Sequence, residues 1–360
     1  MKDDFYAVIM AGGGGTRLWP VSTKAHPKQM LKLASGKTLF EISVDRIRNV
    51  FDFERIFVVT IADQIQALHD LVPDIPLNNF LVEPQPRGTA SVVGLAAIHL
   101  NKLDSQATMA VLTADHIIKN IEVFKEVLLQ GKLLAQDGLL VTLGIEPTYP
   151  ATGYGYIEMG DHLSSINAYH VKQFVEKPDI ETAKKYLDSR QYFWNSGMFI
   201  WQADIIFNEI QKQMPELADK LSQLVPFIGQ SEYSQQLNEI WPTIQPQTID
   251  YGIMEHARNV AVIPAREMGW SDIGSWDSLF DFFPIDEKGN LIHSNNYFIN
   301  NVQNTLVYSD TKEKFIAVVG VDDLVIVESD KGILICKKGQ SELVKEVVAA
   351  IKNQKSDKYL

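Results

Sequence analysis

The fold of this chain is decided close to its start, by the sequence FYAVIMAGGGGTRLWP at residues 5–20. Residues 5–11 are apolar, which is typical of a buried β-strand. The glycines at residues 12–15 have no Cβ atom, so the backbone can turn tightly and direct its N–H groups inward. Such a nest of amides suits a triphosphate, and Arg17 and Lys28 add cations that no amide can supply. Nucleotide binding is therefore the first hypothesis.

The glycine loop differs from the two common glycine motifs. A Walker A loop requires Lys-Ser or Lys-Thr after the glycines, and the dinucleotide motif requires a third glycine where this chain has Arg17. The alternative interpretation is a tight strand-to-helix turn without a ligand. Trp19-Pro20 and Pro27-Lys28, at fixed offsets from the glycines, favour the binding interpretation.

Composition narrows the class of protein. The chain has 360 residues, 46% of them hydrophobic and 22% charged, as expected for a soluble globular protein with a large and a small domain. We expect no transmembrane segment and no signal peptide, because the start is polar and no apolar run reaches membrane length. The single cysteine, Cys336, excludes an intrachain disulfide and favours a cytoplasmic location. The net charge of -12 argues against nucleic-acid or membrane partners.

Strand and helix patterns alternate over the first 135 residues. A capping box at Thr38-Leu39-Phe40-Glu41 predicts a helix to about Asn49. The further predicted strands are 55–60, 79–83 and 107–113, and the predicted helices are 62–71, 88–101 and 121–135. This alternation predicts a mostly parallel sheet whose ligands lie beyond the carboxyl ends of the strands. The glycine loop, Glu83 and Asp115 all follow such ends.

The pattern changes twice further along the chain. The predicted strands are 139–144, 155–159 and 169–176, and helices begin at residues 180 and 203. Residues 213–246 are polar and helical with proline breaks and are interpreted as a surface excursion. Residues 249–258 are interpreted as a helix. Beyond residue 284, short strands at 296–299, 305–308, 315–319, 324–327 and 332–336, with a helix at 341–351, predict a small all-β unit. We therefore expect two domains, 1–284 and 285–360.

Two aspartates are candidates for metal binding. Asp115 follows a predicted strand, and Asp272 lies in the glycine-bracketed loop at residues 269–276. Two hard carboxylates near a phosphate nest suit Mg²⁺, which takes one or two carboxylates plus phosphate oxygens. Each aspartate alone could equally be a helix cap or a turn residue. For His116 we favour a structural hydrogen bond over a metal role.

Three segments between residues 153 and 199 are candidates for sugar and phosphate binding. In Glu176-Lys177-Pro178, the lysine can hold a phosphate and the glutamate can accept hydrogen bonds from hydroxyls; a surface ion pair is the alternative. Gly155 allows close approach of a ligand or forms a bulge. Asn195 places an amide beside an aromatic ring, a common arrangement for a sugar.

Together these motifs make the chain similar to the bacterial mannose-1-phosphate guanylyltransferases, a family of sugar-nucleotide pyrophosphorylases. The resemblance spans residues 5 to about 280, with motifs at residues 12–20, 27–29, 83–84, 87–90, 113–116, 174–178, 194–199 and 270–276. The later β unit resembles that family's small C-terminal domain. The resemblance implies an α/β fold: a Rossmann-like nucleotidyltransferase domain with a mixed, mostly parallel sheet, followed by an all-β domain of left-handed β-helix character.

The resemblance also implies a role for each site residue. Arg17 and Lys28 would contact the triphosphate, and Asp115 and Asp272 would hold Mg²⁺; these four are the catalytic set. The sugar phosphate would be bound by Gly155, Glu176, Lys177 and Asn195. The nucleotide would be bound by Ala11, Gly12, Gly13, Gly14, Gly15, Thr16, Arg17, Lys28, Glu83, Arg87, Gly88, Thr89 and Asp115, with Glu83 near the guanine.

The implied reaction is GTP plus α-D-mannose 1-phosphate giving GDP-mannose and pyrophosphate. The alternatives are a manno-heptose 1-phosphate guanylyltransferase, a glucose-type enzyme that uses UTP or dTTP, and a catalytically silent regulatory subunit. A glycosyltransferase would favour an Asp-x-Asp pair, whereas Asp115 is followed by His116 and Ile117. Longer relatives fuse an isomerase domain after the transferase, so we expect no isomerase activity here.

One departure from the family concerns the selectivity for the nucleotide base. Family members often carry Asn and Pro where this chain has Gly88 and Ser91, and Gly88 has no side chain with which to read a base. A further expectation concerns assembly, because exposed strand edges in the β unit would suit a homodimer.

Overall fold

A computed structural model describes residues 4–13, 15–23, 26–32, 36–163, 166–311 and 313–360, and of Thr16 and Asp357 the backbone only. The chain divides into two compact units, each assembled from separate segments. The first unit is Met1–Gly12, Arg46–Thr113 and Asn120–Gly269; the second is Gly13–Asp45, Ala114–Lys119 and Trp270–Leu360. The chain passes from the first unit to the second within the glycine run. The two domains expected at 1–284 and 285–360 stay a prediction.

The described residues form the following elements, in chain order. The strands are β1 (Phe5–Met10), β2 (Ile56–Thr60), β3 (Phe80–Val82), β4 (Thr108–Thr113), β5 (Ile117–Ile118), β6 (Leu140–Ile145), β7 (Tyr156–Leu163), β8 (Ala168–Val175), β9 (Tyr192–Gln202), β10 (Val260–Pro264), β11 (Trp270–Ser271), β12 (Leu291–His293), β13 (Tyr297–Gln303), β14 (Leu306–Ser309), β15 (Ile316–Asp322), β16 (Leu324–Glu328) and β17 (Ile333–Lys337). The helices are α1 (Leu39–Asp45), α2 (Ala62–Leu71), α3 (Thr89–Leu103), α4 (Ile121–Gln136), α5 (Ile180–Ser189), α6 (Ala203–Gln213), α7 (Pro215–Leu224), α8 (Tyr233–Ile240) and α9 (Val344–Asn353).

The first unit is built on one mixed sheet. Its strand order is β3-β2-β1-β4-β9-β6-β10-β8-β7 among the described residues. Strands β1 to β4 pair in parallel, in the order that doubly wound nucleotide-binding sheets use. The central strand β9 runs antiparallel to both β4 and β6. The carboxyl ends of β1 and β3 therefore share one edge, where Gly12 and Glu83 follow.

Helices α3, α6, α7 and α8 contribute to the main core of this unit. The helical character predicted for residues 213–246 is confirmed by α7 and α8, but the interpretation of this segment as a surface excursion was wrong. Leu217, Leu221 and Leu224 of α7 and Trp241 are buried in the core. Gly94 of α3 makes this packing possible, because a Cβ there would lie 2.4 Å from Leu221 Cδ1. The apolar residues recur at helical spacing, and that stripe rather than mean polarity decides burial.

The second unit contains the predicted all-β part. Strands β12, β14 and β16 pair in parallel, β17 joins antiparallel at the edge, and β13 pairs in parallel with β15. Val302, Val307 and Val318, from β13, β14 and β15, form a small core with Ile326 packed against it. Parallel strands in successive sheets around an apolar core are the arrangement expected of a β-helix.

The predicted capping box is confirmed, whereas some predicted helix and strand boundaries differ from the structure. In the capping box, the Thr38 backbone N–H donates to Glu41 Oε2 at 2.7 Å and the Glu41 N–H donates to Thr38 Oγ1 at 3.1 Å. Its helix is shorter than predicted, however, and ends at Asp45 rather than near Asn49. The predicted helix at 249–258 is instead a five-residue π-helix, Asp250–Met254, followed by turns. The eleven-residue strand β9 was not predicted.

No helix within the described residues is both long enough and apolar enough to span a bilayer.

Candidate active site

The second unit holds Lys28 against both predicted metal-binding aspartates. The Lys28 side chain is almost fully buried, and its Nζ lies 2.7 Å from Asp115 Oδ2. The same ammonium donates to the backbone carbonyl of Asp272. A lysine is buried only with such partners, because an isolated ammonium is costly to desolvate. The structure thus brings together three of the four predicted catalytic residues around one positive charge.

The loop that carries Asp272 is fixed by its own backbone. The Gly274 N–H donates to Asp272 Oδ1 at 3.0 Å, and the Ile273 N–H donates to Ser271 Oγ at 3.0 Å. Ile273 has a φ of +44°, which a β-branched residue rarely adopts. Its fully buried side chain in the core of this unit holds it there. Backbone strain of this kind is concentrated at functional sites, where surrounding packing maintains it.

His116 supports the same loop without being a metal candidate. Its Nδ1 accepts a hydrogen bond from the Trp270 indole N–H at 3.1 Å, so the proton of a neutral ring is on Nε2. Nε2 lies 3.8 Å from Asp115 Oδ1. The predicted structural hydrogen bond of His116 is confirmed.

The positions of the glycine loop differ in whether the structure requires glycine there. At Gly15, φ is +25° and a Cβ would lie 2.5 Å from Lys28 Cβ, so only glycine lets Lys28 pack there. Gly13 is exposed and has nothing within 4 Å of a Cβ position, while Gly14 lies outside the described residues. Arg17 is exposed on a 3-10 turn, Thr16–Leu18, and has no ion pair among the described residues. Its guanidinium is therefore available to a ligand.

Trp19 and Pro20 belong to the core of the second unit. The Trp19 indole N–H donates to the Tyr359 carbonyl at 2.7 Å, and the Trp276 indole N–H donates to the Trp19 carbonyl at 3.1 Å. Ser329 Oγ donates to the Pro20 carbonyl at 2.9 Å. The offsets of Trp19 and Pro20 from the glycines thus reflect anchoring of the loop rather than ligand contact.

In the first unit, Gly12 and Glu83 meet at the carboxyl edge of the sheet. A Cβ at Gly12 would lie 3.0 Å from Glu83 Oε2, so this glycine leaves room for the carboxylate. Glu83 Oε1 accepts the backbone N–H of Arg87 at 2.8 Å. Burial raises the pKa of Glu83, and the hydrogen bond from Arg87 opposes that shift. Ala11 is buried, and its carbonyl accepts from Thr60 Oγ1.

Gly88 lacks a side chain for a packing reason. Its φ of +84° and ψ of 166° are open essentially to glycine alone, and a Cβ would lie 2.2 Å from the Gln247 carbonyl oxygen. The Ala90 N–H donates to that oxygen at 3.2 Å, and Thr89 Oγ1 accepts the Ile249 N–H at 2.9 Å. Gly88 and Thr89 therefore attach the start of α3 to residues 247–249.

The predicted sugar-phosphate residues also lie in the first unit. A Cβ at Gly155 would lie 3.4 Å from the Glu176 carboxyl group, and the Asn195 N–H donates to the Gly155 carbonyl at 2.8 Å. Lys177 has a φ of +38°, and its exposed Nζ lies 3.0 Å from Glu176 Oε2. The structure thus brings Gly155, Glu176 and Asn195 together and leaves the Lys177 ammonium at the surface.

Sequence reasoning missed Asp250, which contacts this group. Its Oδ1 accepts the Asn195 Nδ2 hydrogen at 2.7 Å. Burial raises the pKa of Asp250, and the negative charge of Glu176 adds to that effect. The only local signal was an acidic residue at the start of a predicted helix, which is indistinguishable from an ordinary first-turn acid.

The chemistry of the donors near Lys28 is compatible with Mg²⁺. Both Asp115 and Asp272 offer hard carboxylate oxygens, and their surroundings already favour a cation, because Lys28 is held there. Within the described residues, no three His, Cys, Asp or Glu side chains form a metal cluster. An ion here would complete its shell with water or phosphate oxygens, as Mg²⁺ prefers.

Comparisons with known proteins identify the family of this chain. The model of the nucleotidyl transferase family matches residues 6–289, and that of the MannoseP isomerase/GMP-like beta-helix domain matches residues 295–351. Mannose-1-phosphate guanylyltransferase of Klebsiella pneumoniae is 36% identical over 361 residues, which are 98% of this chain and 75% of the relative. Its namesake from Escherichia coli is 35% identical over 98% of this chain and 75% of the relative.

A solved structure extends the similarity to the fold. The crystal structure of mannose-1-phosphate geranyltransferase from Thermus thermophilus is 31% identical, with a TM-score of 0.86 over 97% of this chain and 100% of that one. The predicted fold class, a nucleotidyltransferase domain followed by a β-helix-like domain, is confirmed. The chain therefore belongs to the nucleotidyl transferase family and, within it, to the mannose-1-phosphate guanylyltransferases.

Proposed function

We propose that this protein catalyses the reaction of GTP with α-D-mannose 1-phosphate to give GDP-mannose and pyrophosphate. A phosphate oxygen of the sugar phosphate attacks the α-phosphorus of GTP and forms the new P–O bond. The bond from the α-phosphorus to the bridging oxygen breaks, and its electron pair leaves with pyrophosphate. The observation that carries the proposal is the buried Lys28 ammonium held by Asp115 and Asp272, in a chain that matches guanylyltransferases over 98% of its length.

The obstacle to this reaction is the approach of two anions. Two unit charges 4 Å apart interact by about 4 kcal/mol at an effective dielectric constant near 20. Arg17, Lys28 and Lys177 would offset this repulsion and hold the phosphates in line for attack. The exposed guanidinium of Arg17 and the surface ammonium of Lys177 are both able to meet a phosphate. We assign Arg17 and Lys28 to the triphosphate and Lys177 to the sugar phosphate.

Asp115 and Asp272 would hold Mg²⁺, which when bound neutralises phosphate charge and polarises the phosphoryl oxygens. Lys28 Nζ donates to the Asp115 carboxylate and to the Asp272 backbone carbonyl, so an ion bound by the two carboxylates would have to share only Asp115 with Lys28. Its chain is unbranched and reaches Asp115 from a short helical turn, Lys28–Met30.

For the substrates, we assign Glu83 to the base and Glu176 with Asn195 to the sugar. Guanine presents N–H donors that a carboxylate can accept, and a second oxygen of Glu83 remains beside Gly12 after one is used by Arg87. Sugar hydroxyls suit the acceptor Glu176 and the donor–acceptor amide of Asn195. Because Gly88 is fixed by Gln247, its missing side chain is no argument against guanine.

The test is pyrophosphate release from the purified chain with Mg²⁺, with four nucleoside triphosphates crossed against mannose, glucose and heptose 1-phosphates. We expect release with GTP and mannose 1-phosphate. Release with GTP and heptose 1-phosphate only, or with UTP or dTTP only, would assign the chain to another branch. Absence of release in every combination would instead support a silent, nucleotide-binding subunit.

Location and assembly remain predictions as well. We propose a cytoplasmic enzyme that forms a homodimer through the β unit, where Ile333 and Ile335 of the edge strand β17 are exposed. Size-exclusion chromatography with light scattering would give the mass of the protein in solution. A mass equal to that of a single chain at micromolar concentration would contradict the dimer.

A further inference from the structure

The strongest unassigned feature is the pairing of Asp250 with Asn195. Asp250 is the first residue of the π-helix Asp250–Met254, a rare geometry that occurs frequently at functional sites. Asp250 is half-buried, and Asn195 is the side-chain donor that the structure records for its carboxylate, at 2.7 Å. A carboxylate that is partly removed from water needs hydrogen-bond donors, and the Asn195 amide supplies one to Asp250.

Asp250 completes the immobilisation of Asn195. The Asn195 backbone N–H donates to the Gly155 carbonyl at 2.8 Å, and its Oδ1 accepts the Gly197 N–H at 3.1 Å. With Nδ2 donating to Asp250, both ends of the amide are assigned and the group cannot flip. One N–H and one lone pair stay available, in fixed directions, for a hydroxyl or phosphate oxygen.

The segment before Asp250 is attached to the start of α3. The Gln247 N–H donates to the Arg87 carbonyl at 3.2 Å, and the Gln247 carbonyl accepts the Ala90 N–H at 3.2 Å. Thr89 Oγ1 accepts the Ile249 N–H at 2.9 Å. Residues 247–250 therefore join the segment that we assign to the nucleotide to the asparagine that we assign to the sugar, entirely within the first unit.

We propose that Asp250 is a positioning residue that holds the Asn195 amide in the orientation that binds the sugar 1-phosphate. This inference rests on the proposed function. Asp250 acts through Asn195 and does not itself touch the reacting phosphates. Its carboxylate is needed as an acceptor, so an amide that can present an oxygen to Asn195 will substitute for it, whereas a methyl group will not.

Four variants test the proposal. Three are the single changes Asp250→Ala, Asp250→Asn and Asn195→Ala, and the fourth combines Asp250→Ala with Asn195→Ala. Steady-state pyrophosphate release gives kcat and the KM for each substrate. We expect Asp250→Ala to raise the KM for mannose 1-phosphate about tenfold or more and to leave the KM for GTP within about twofold, because uniform binding of one substrate is lost. Asp250→Asn should stay within about threefold of wild type.

The double variant distinguishes positioning from a general structural role. If Asp250 acts through Asn195, adding Asp250→Ala to Asn195→Ala should change the KM for the sugar phosphate by less than about twofold. The matched control is Asp204→Ala. Asp204 is an exposed first-turn acid of α6 whose carboxylate, among the described residues, accepts the N–H of its neighbour Ile205, and the variant should behave as wild type.

Equal effects of Asp250→Ala on both substrates, or full additivity with Asn195→Ala, would overturn the proposal. If Asp250→Ala does not fold, Asp250→Asn decides, because its shape is retained: a tenfold rise in both KM values would contradict positioning through an acceptor. A wild-type chain that releases no pyrophosphate would contradict the proposed function instead. That result is separate from the behaviour of the variants.

Discussion

Replacing Gly88 with alanine tests whether the backbone of Gln247 leaves room for a side chain at position 88. Gly88 has a φ of +84° and a ψ of 166°. An added Cβ would lie 2.2 Å from the Gln247 carbonyl oxygen, 2.7 Å from its carbonyl carbon and 2.9 Å from its nitrogen. All three atoms belong to the backbone, so no side-chain rotation relieves the collision. The two segments must move apart.

The cost has two parts. A non-glycine residue in this region of φ and ψ costs about 1–3 kcal/mol. Separation of the segments lengthens two hydrogen bonds that are already 3.2 Å long, from Gln247 to Arg87 and from Ala90 to Gln247. Each such bond contributes about 0.5–1.5 kcal/mol. Together these terms give a loss of about 4 kcal/mol in the free energy of unfolding.

The chain provides a matched control for this change. Gly138 also has a φ of +84°, but nothing lies within 4 Å of its Cβ position. Gly138→Ala should therefore cost only the conformational term, about 1–2 kcal/mol. Urea unfolding of the two variants, followed by circular dichroism, measures the difference. Equal losses in the two variants would refute the argument that the Gln247 contact requires glycine at position 88.

Further predictions concern catalysis and pH. Asp115→Asn and Asp272→Asn should each lower kcat on the order of 10²–10³-fold in pyrophosphate release, and near-normal turnover in both would remove them as metal ligands. Lys28→Met should lower kcat on the order of 10²-fold or more; a change in KM alone would mean that Lys28 only binds the ground state. Chelation of divalent metal with EDTA should abolish release and added Mg²⁺ should restore it; undiminished release with EDTA would contradict a metal requirement. Burial, with a smaller effect of Lys102, lowers the pKa of His99 from 6.5 to about 4. The unfolded chain thus binds more protons between those pH values, so the free energy of unfolding should fall by up to about 3 kcal/mol as pH drops through them. His99→Gln should flatten this dependence in urea titrations at pH 7 and pH 5, and an unchanged slope would exclude His99 as its source.

The predictable part of the fold lies in local patterns. Helix α2 (Ala62–Leu71) has the predicted bounds, and the capping box at Thr38 has both expected hydrogen bonds. Strand β9 was not predicted, because Asn195-Ser196-Gly197 interrupts its apolar run. Asn195 was interpreted as part of a sugar-binding site instead. Its eleven residues are held as a strand by antiparallel neighbours on both sides, β4 and β6, which are distant in sequence.

For the candidate site, too, one part could be predicted from the sequence and another could not. The identity of the chemical groups could be predicted, because a buried strand followed by glycines, or by Glu83, leaves polar groups at a sheet edge. Their partners could not. Trp19 and Pro20 were interpreted as support for nucleotide binding, yet they contact Tyr359 and Ser329 near the end of the chain. Such contacts depend on which distant segment packs against residues 19–20, and the spacing of neighbouring residues carries no information about that.

By itself, the sequence determined the family, the alternation of strands and helices, and the residues that carry charge and hydrogen-bonding capacity, because these depend on residue type and short-range spacing. Only the tertiary structure decided that Lys28 is buried against Asp115 and Asp272, and that Asp250 holds Asn195. The physical reason is that a buried charge or amide is stable only when distant segments supply its partners. Those partners are chosen by packing of the whole chain rather than by neighbours in sequence.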